Sequence, residues 1–159
     1  MLNQTAHTVK NILASSMMTE TIESRFGAIV VDTDKAIFLP QGLLGIPGKS
    51  NFVIAPFPNP KMQQFTVLQC LDDLATSFIT LPLPMENNII SAEDLRVACH
   101  DLQIPEEHAA VLLVVNVQRS PDKVRLAVNA RAPLMINVEQ RTGEQYVFQN
   151  DRYALQHML

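Results

Sequence analysis

The pattern that most constrains this chain is a two-residue hydrophobic repeat near its C-terminus. Apolar residues alternate with other residues from Val124 to Ala130, and the alternation resumes from Leu134 to Val138. A period of two is typical of a β-strand with one buried face. Pro133 separates the two stretches, because proline donates no ladder hydrogen bond and suits a strand start or edge. Thr142-Gly143 then predicts a turn before a last strand from Gln145 to Phe148, so we expect a small antiparallel sheet here.

The rest of the chain is similarly rich in strand patterns, with one clear helix. Thr21 to Phe26 and Ala28 to Asp32 predict a hairpin or a bent strand. Val111 to Val117 is almost wholly apolar, which predicts a strand buried on both faces. Ser91, followed by acidic residues, predicts a helix start, and Pro105 predicts its end. Further short strands are expected at Ala36 to Leu39, Phe52 to Ala55, Phe65 to Cys70 and Ser77 to Leu81.

About ten short strands with one or two short helices predict a mainly β fold, because no strand–helix–strand alternation is present. We expect a compact antiparallel barrel or sandwich-like single domain. The chain has 159 residues, which is the size of one domain with its own core. We assign residues 19–159 to this domain. Residues 1–18 are interpreted as a flexible or mis-called N-terminal extension, although an amphipathic helix is an alternative because of the spacing of Leu2, Ala6, Val9 and Leu13.

The stretch from Pro40 to Gly48 predicts a rigid, irregular loop. It holds three glycines and two prolines, which exclude regular structure and require turns with particular backbone dihedrals. We expect Gly42 or Gly45 to need a positive φ angle. Two leucines and an isoleucine lie inside the stretch, so the loop should pack on the body of the domain. It is not a phosphate loop, because no lysine precedes a Ser or Thr in the required frame and no helix pattern follows.

Composition and motifs argue against several classes of function. The formal net charge of −4 lacks the basic footprint of a nucleic-acid binder. No segment has the roughly eighteen apolar residues that a membrane span needs. Cys70 and Cys99 belong to no CxxC pair and predict reduced, packed thiols in a cytosolic protein. The four histidines have no metal-ligand spacing, and no nucleophile motif is present. These observations alone predict a soluble β-rich domain, for which we expect no metal or cofactor.

The adjacent carboxylates Asp72 and Asp73 allow two interpretations. In a strand they would point to opposite faces, so they would not share a proton as a catalytic dyad does. In a turn they either face solvent or contact a basic partner. Phe57, which lies between two prolines, either joins the core or is exposed.

Four stretches of the chain resemble the FliW family of flagellar assembly factors, and they occur in the family's order from about Thr21 to Leu159. The C-terminal stretch carries the resemblance through Asn129, Ala132-Pro133, Ile136-Asn137, Arg141, Gly143 and Gln145. The other three are Leu39-Pro40-Gln41-Gly42-Leu43 with Gly45, Leu68-Gln69 with Asp72-Asp73 and Phe78, and Ser91 to Leu95 with Ile104 to Glu107. The chain departs from the family at Ile46, which is usually aromatic, at Leu74, which is often proline, and in its first eighteen or so residues.

The resemblance implies a non-enzymatic cytoplasmic regulator that acts by binding other proteins. FliW-like proteins bind flagellin and also CsrA, a small basic repressor that silences flagellin messenger RNA. The two partners compete, so export of flagellin frees FliW to hold CsrA and relieve repression. We expect a monomer with these two partners and no direct contact with nucleic acid or membrane. The residues assigned to partner contacts are Asp72, Asp73, Ile46 and Phe57, and those assigned to the fold are Pro40, Gly42, Gly45, Asn129, Pro133, Asn137 and Gly143.

Two alternatives remain open. The first is a flagellin-binding chaperone without a CsrA role. The second is a small-molecule-binding or enzymatic β-barrel whose site is assembled from scattered residues. A pocket with convergent polar groups would favour that barrel, whereas an exposed apolar patch rimmed with acids would favour partner binding.

Overall fold

The computed structural model describes residues 19–159, so the expectation for residues 1–18 lies outside the described range. Within that range the chain forms eleven strands and one α-helix, α1 at Ala92–Asp101, with 3-10 turns at Thr33–Lys35, Pro60–Met62 and Glu106–His108. The strands are β1 Thr19–Ser24, β2 Gly27–Asp32, β3 Ile37–Phe38, β4 Asn51–Pro56, β5 Thr66–Cys70, β6 Ser77–Leu83, β7 Ala109–Ser120, β8 Lys123–Val128, β9 Leu134–Asn137, β10 Thr142–Gln145 and β11 His157–Met158.

Seven of these strands close into a barrel. Their hydrogen-bonded order is β7-β6-β5-β4-β3-β10-β9, and β7 pairs with β9 as well as with β6. All neighbouring pairs in this ring are antiparallel except β3 and β10, which meet in parallel at Phe38 and Thr142. The predicted mainly β fold is therefore confirmed.

Strand β7 is 12 residues long. Its first half closes the barrel by pairing with β9, and its second half extends beyond the barrel to pair with β8. In its first half Ala110 and Leu112 belong to one hydrophobic cluster, whereas Val111 and Leu113 belong to another on the opposite face. This confirms the predicted burial of both faces for that half. From Val115 onward β7 pairs with β8, and β8 pairs with β11 on its far side.

Three hydrophobic clusters fill and cover the barrel. Its interior holds Ile37, Leu39, Leu43, Phe52, Ile54, Leu68, Cys70, Ala110, Leu112, Leu134 and Ile136. The hairpin of β1 and β2, which the sequence predicts correctly, covers one outer side with Ile22, Ile29 and Val31. Helix α1 and the C-terminal segment cover another side with Leu95, Ala98, Cys99, Phe148 and Tyr153. The interior is thus packed with side chains, as in other small barrels.

Helix α1 begins and ends as its sequence predicts. The Ser91 Oγ accepts a hydrogen bond from the Asp94 N–H at 3.2 Å, which satisfies one of the free donors of the first turn. The last turn stops where Gln103 takes a φ angle of 57°, two residues before Pro105. Residues 106–108 then form a 3-10 turn that leads into β7.

The C-terminal segment is fastened to both ends of α1 by hydrogen bonds to carboxylates. The Tyr153 hydroxyl donates to Asp94, and Arg152 Nη2 donates to both Asp94 oxygens at 2.9 Å. These bonds, that of Tyr153 above all, hold the pKa of the Asp94 carboxyl below its ordinary value. At the other end of the helix the Tyr146 hydroxyl donates to Asp101.

The prediction of a turn at Thr142-Gly143 is wrong. The chain reverses one step earlier, where Arg141 takes a φ angle of 54°, and residues 142–145 form β10. The predicted strand from Gln145 to Phe148 is also wrong beyond Gln145. Its backbone instead makes separate hydrogen bonds, from the Tyr146 N–H to the Pro133 carbonyl and from the Phe148 N–H to the Arg131 carbonyl.

Candidate functional site

Two asparagines of the C-terminal stretch form equivalent turns at the ends of β8 and β9. The Asn129 Oδ1 accepts from the N–H groups two and three residues ahead, at 3.1 and 3.0 Å. The Asn137 Oδ1 makes the same two bonds with the same distances. A short amide side chain that bonds the following backbone favours a sharp reversal. The reversal at Asn129 directs the chain from β8 into β9, and the reversal at Asn137 directs it from β9 into β10.

Gly143 lies where β10 presses against the barrel interior. A Cβ atom at this position would come within 2.8 Å of Leu39 Cδ2 and 3.1 Å of the Met135 carbonyl oxygen. The φ angle of Gly143 is not positive. Glycine is therefore required here by lack of space, not by backbone conformation.

The side chain of Gln145 joins two distant parts of the chain. Its Oε1 accepts from the Leu44 N–H at 2.7 Å across 101 positions of sequence, and its Nε2 donates to the Ala132 carbonyl at 3.0 Å. A glutamine amide can bind a donor and an acceptor at once. The residue pattern predicts no structural role for Gln145, although Gln145 lies in the C-terminal stretch that resembles FliW.

The glycine loop, residues 40–48, contains three positive φ angles. Gly42, Gly45 and Gly48 have φ angles of 65°, 84° and 85°, which confirms the expectation for Gly42 and Gly45. A Cβ atom on Gly42 would lie 3.1 Å from the carbonyl oxygens of both Ile46 and Lys49, whereas one on Gly45 would meet nothing within 4 Å. Pro40, at the start of the loop, is exposed. The loop presents Leu44 to solvent, with 61% of its surface exposed.

The acidic turn, residues 71–76, is fixed beside the glycine loop by Asp72. The Asp72 Oδ2 accepts from the Ser50 and Asn51 N–H groups, both at 2.9 Å. Its Oδ1 accepts from the Asn51 side chain at 3.1 Å. Hydrogen bonding by the Asn51 and Ser50 backbone lowers the pKa of this carboxyl, so it is ionised at neutral pH.

Asp73 stabilises the same turn from within. Its carboxylate accepts from the Thr76 hydroxyl at 2.8 Å and from the Ala75 N–H at 3.1 Å. The Lys49 Nζ lies 3.6 Å from its Oδ2. The Thr76 hydroxyl, followed by the Ala75 N–H, lowers the pKa of Asp73. Both aspartates therefore have local structural bonds, while Asp72 remains exposed and Asp73 half-buried.

The side chain of Gln69 stabilises the acidic turn by hydrogen bonds to its backbone carbonyls, a role that its residue type does not predict. Its side chain is fully buried, and its Nε2 donates to the carbonyls of Cys70, Leu74 and Thr76 at 2.9, 3.0 and 3.3 Å. Only the amino half of this amide is paired, since the Gln69 Oε1 is buried and has no hydrogen-bond partner within residues 19–159. Gln69 thus holds the backbone that positions Asp72 and Asp73.

A cavity of about 140 Å³ lies between the end of α1 and the turn that leads into β10. Its buried lining is Ile104, Met135, Asn137 and Gly143, and its exposed lining includes Pro40, Gln103, Gln140 and Glu144. Pro40, Ile104, Asn137 and Gly143 belong to the stretches that resemble FliW. The cavity therefore lies where three of these four stretches meet.

The thiols and the remaining ionisable groups form no metal site in the part of the chain that the structure describes. Between residues 19 and 159 no three His, Cys, Asp or Glu side chains are close enough together to hold a metal ion. Cys70 and Cys99 are free and buried, and burial raises the pKa of the Cys99 thiol to about 11. No helix in the same range is long and apolar enough to cross a membrane.

Comparison with known proteins decides the family. A family model described as FliW protein matches residues 20–159. The chain belongs to the FliW family. A flagellar assembly factor FliW of Clostridium botulinum (strain Hall) is 31% identical over 135 residues, covering 84% of this chain and 91% of that protein. The FliW of Geotalea uraniireducens is 27% identical over 138 residues, covering 84% and 80%.

A solved structure shows the same fold. The crystal structure of a flagellar assembly factor FliW superposes with a TM-score of 0.63 and 23% identity, covering 87% of this chain and 96% of that one. Family membership assigns the chain to flagellar assembly.

In this FliW-family chain, the four residues predicted to contact partners fall in two places. Ile46 is half-buried in the glycine loop, which leads directly into the residues that bind Asp72 and Asp73. Phe57 lies at the opposite end of β4, where its ring packs against Phe26 with centroids 5.6 Å apart. The glycine loop and the acidic turn thus form one continuous surface, and Phe57 lies apart from it.

Proposed function

We propose that this chain is a cytoplasmic flagellar assembly factor that binds flagellin and a CsrA-type translational repressor in competition. Export of flagellin would then free it to hold the repressor and relieve repression of flagellin synthesis. The observation that carries this proposal is the FliW match across residues 20–159, which covers the whole barrel and both outer layers. The chain would act by binding and not by catalysis.

The charge of the molecule suits a basic partner. A protein that binds RNA carries a basic surface because it must neutralise phosphates, and this chain has a formal net charge of −4. Opposite charges steer two proteins together and act mainly on the association rate. Asp72 and Asp73 contribute to this field, since hydrogen bonding lowers the pKa of both and keeps them ionised.

The proposal is tested by titrating the purified chain with CsrA and with flagellin from the same organism in a calorimeter. We expect each to bind, and we expect preformed complex with flagellin to reduce the binding of CsrA. Binding of flagellin without CsrA would instead support the chaperone alternative. Binding of neither protein would refute the proposal.

The contribution of the acidic turn is tested by association kinetics. Asp72→Asn with Asp73→Asn should slow CsrA association and flatten its dependence on salt, because two charges are removed from the steering field. Asp122→Asn with Asp151→Asn is the matched control, since both aspartates are exposed and the charge change is equal. Flagellin should respond less, because we expect its amphipathic terminal helices to use an apolar surface. Equal association rates for the two double variants would remove the acidic turn from the interface.

The alternative of a small-molecule barrel receives little support from the geometry. Sites for small molecules usually enclose about 300–1,000 Å³. Here side chains fill the barrel interior, and the cavity beside β10 has about 140 Å³.

A further inference from the structure

The cavity beside β10 contains an unused hydrogen-bond donor. Asn137 lines the cavity and is 4% exposed. The side-chain atom that accepts from the two turn N–H groups must be its oxygen, so the other atom is the amino group. That Nδ2 makes no hydrogen bond within residues 19–159 and, unlike Gln69 Oε1 and Ser77 Oγ, it is not fully buried. An acceptor that enters the cavity can therefore bind this donor.

The mouth of the cavity carries further polar groups that are free to bind. The side chains of Gln103, Gln140, Thr142 and Glu144 make no hydrogen bond within the described range. Glu144 is the charged residue among those that line the cavity. Apolar lining is supplied by Pro40, Leu102, Ile104 and Met135. The cavity thus combines apolar walls with a carboxylate and an amide donor at separate positions.

We propose that this cavity receives one basic side chain of the basic partner, an inference that rests on the proposed function. Its volume of about 140 Å³ suits a single side chain and is small for a metabolite. The methylene groups of arginine or lysine would lie against the apolar walls while the cation binds Glu144. The Asn137 Nδ2 would donate to a backbone carbonyl of the same segment. An anionic ligand is disfavoured by the charge of Glu144.

The first test compares two glutamates on adjacent parts of the same hairpin. Glu144→Gln removes the charge at the cavity and keeps the shape of the side chain. Glu139→Gln makes the same change at an exposed residue that does not line the cavity. Loss of one charge-assisted contact should weaken CsrA binding about tenfold for Glu144→Gln, with less than a twofold change for Glu139→Gln. Equal effects of the two variants would overturn the proposal.

A second test separates this proposal from the proposed function. N-acetyl-arginine amide is titrated into the full chain while backbone amide signals are followed by NMR, with N-acetyl-glutamate amide as the control. We expect the arginine compound alone to shift the signals of Thr142, Gly143 and Glu144, and Glu144→Gln to abolish this shift. If those signals do not move, the cavity is not a site for basic side chains, even where CsrA binds. If they move but CsrA does not bind, the proposed function fails and the cavity assignment stands.

Discussion

The glycine loop and the acidic turn lie side by side, yet different interactions hold them. The glycine loop depends on positive φ angles and on backbone atoms that leave no room for a side chain, as at Gly42. The same lack of space fixes Gly143 in the neighbouring strand. The acidic turn depends on two ionised carboxylates and on the buried amide of Gln69. Steric and backbone constraints therefore stabilise the glycine loop, whereas ionised carboxylates stabilise the acidic turn. Glycine substitutions should affect the stability of the loop, and a change of pH should affect that of the turn.

The largest loss of stability is expected at Gly143, where an added side chain would have the least room. Gly143→Ala should lower the free energy of unfolding by about 1–3 kcal/mol, because the new methyl group would meet Leu39 Cδ2 at 2.8 Å and the Met135 carbonyl at 3.1 Å. Urea denaturation followed by circular dichroism measures this. A variant as stable as the parent would show that Leu39 moves aside at no cost.

A pair of alanine variants separates backbone conformation from space within the glycine loop. Gly45→Ala should cost about 1 kcal/mol, since its φ of 84° is unfavourable but the surroundings are open. Gly42→Ala should cost more, about 1–2 kcal/mol, because two carbonyl oxygens lie 3.1 Å from the new atom as well. The same denaturation experiment applies. Identical losses for the two variants would mean that φ alone controls the loop.

The acidic turn should respond to pH where the glycine loop does not. The pKa of both Asp72 and Asp73 is lowered in the folded chain, so their contribution to stability is present above the ordinary aspartate pKa. That contribution is lost as pH falls through the lowered values. The melting temperature of Asp72→Asn with Asp73→Asn should therefore lie below that of the parent at pH 7, and the two should converge as pH falls below the lowered pKa values. The control Asp122→Asn with Asp151→Asn should show no such convergence, and a constant difference between parent and turn variant would contradict this account.

The smallest change in melting temperature and partner affinity is expected when the N-terminal residues, which belong to neither region, are removed. A chain that starts at Met18 should keep the melting temperature and partner affinities of the full chain, because the family match begins at residue 20. Thermal melting and calorimetry of the two chains provide the test. A loss of several degrees would show that the apolar residues between Leu2 and Leu13 dock on the barrel.

Local patterns in the sequence predict most of the strands and the helix, because alternation and capping depend on neighbouring residues. The failure at Thr142-Gly143 has a physical reason. A glycine is usually explained by a positive φ angle, whereas Gly143 is needed because Leu39, about a hundred residues away, and the Met135 carbonyl of the paired strand both approach it closely. No local signal reports such an approach.

The sequence predicts only part of the candidate site, because some of its hydrogen bonds join segments that are far apart along the chain. Asp72 and Asp73 are recognisable as turn residues, and the bond of Asp73 to Thr76 is local, but the bonds of Asp72 to Ser50 and Asn51 depend on how β4 and β5 pair. The role of Gln145 depends on a contact 101 residues away, and that of Gln69 depends on the conformation of the hairpin that follows it, so residue type alone could not reveal either.

The contact between β3 and β10 has a consequence for how the barrel forms and opens. It is the one parallel junction of the ring, and its ladder consists of a single residue pair, Phe38 and Thr142. The strands from β4 to β7 follow one another along the chain, whereas this junction requires segments about a hundred residues apart to meet, as the bond between Leu44 and Gln145 shows. Closing so long a loop carries an entropic cost that neighbouring hairpins avoid. The ring is therefore expected to close late in folding, and in hydrogen exchange the amides at this seam should lose protection before those of β5 and β6.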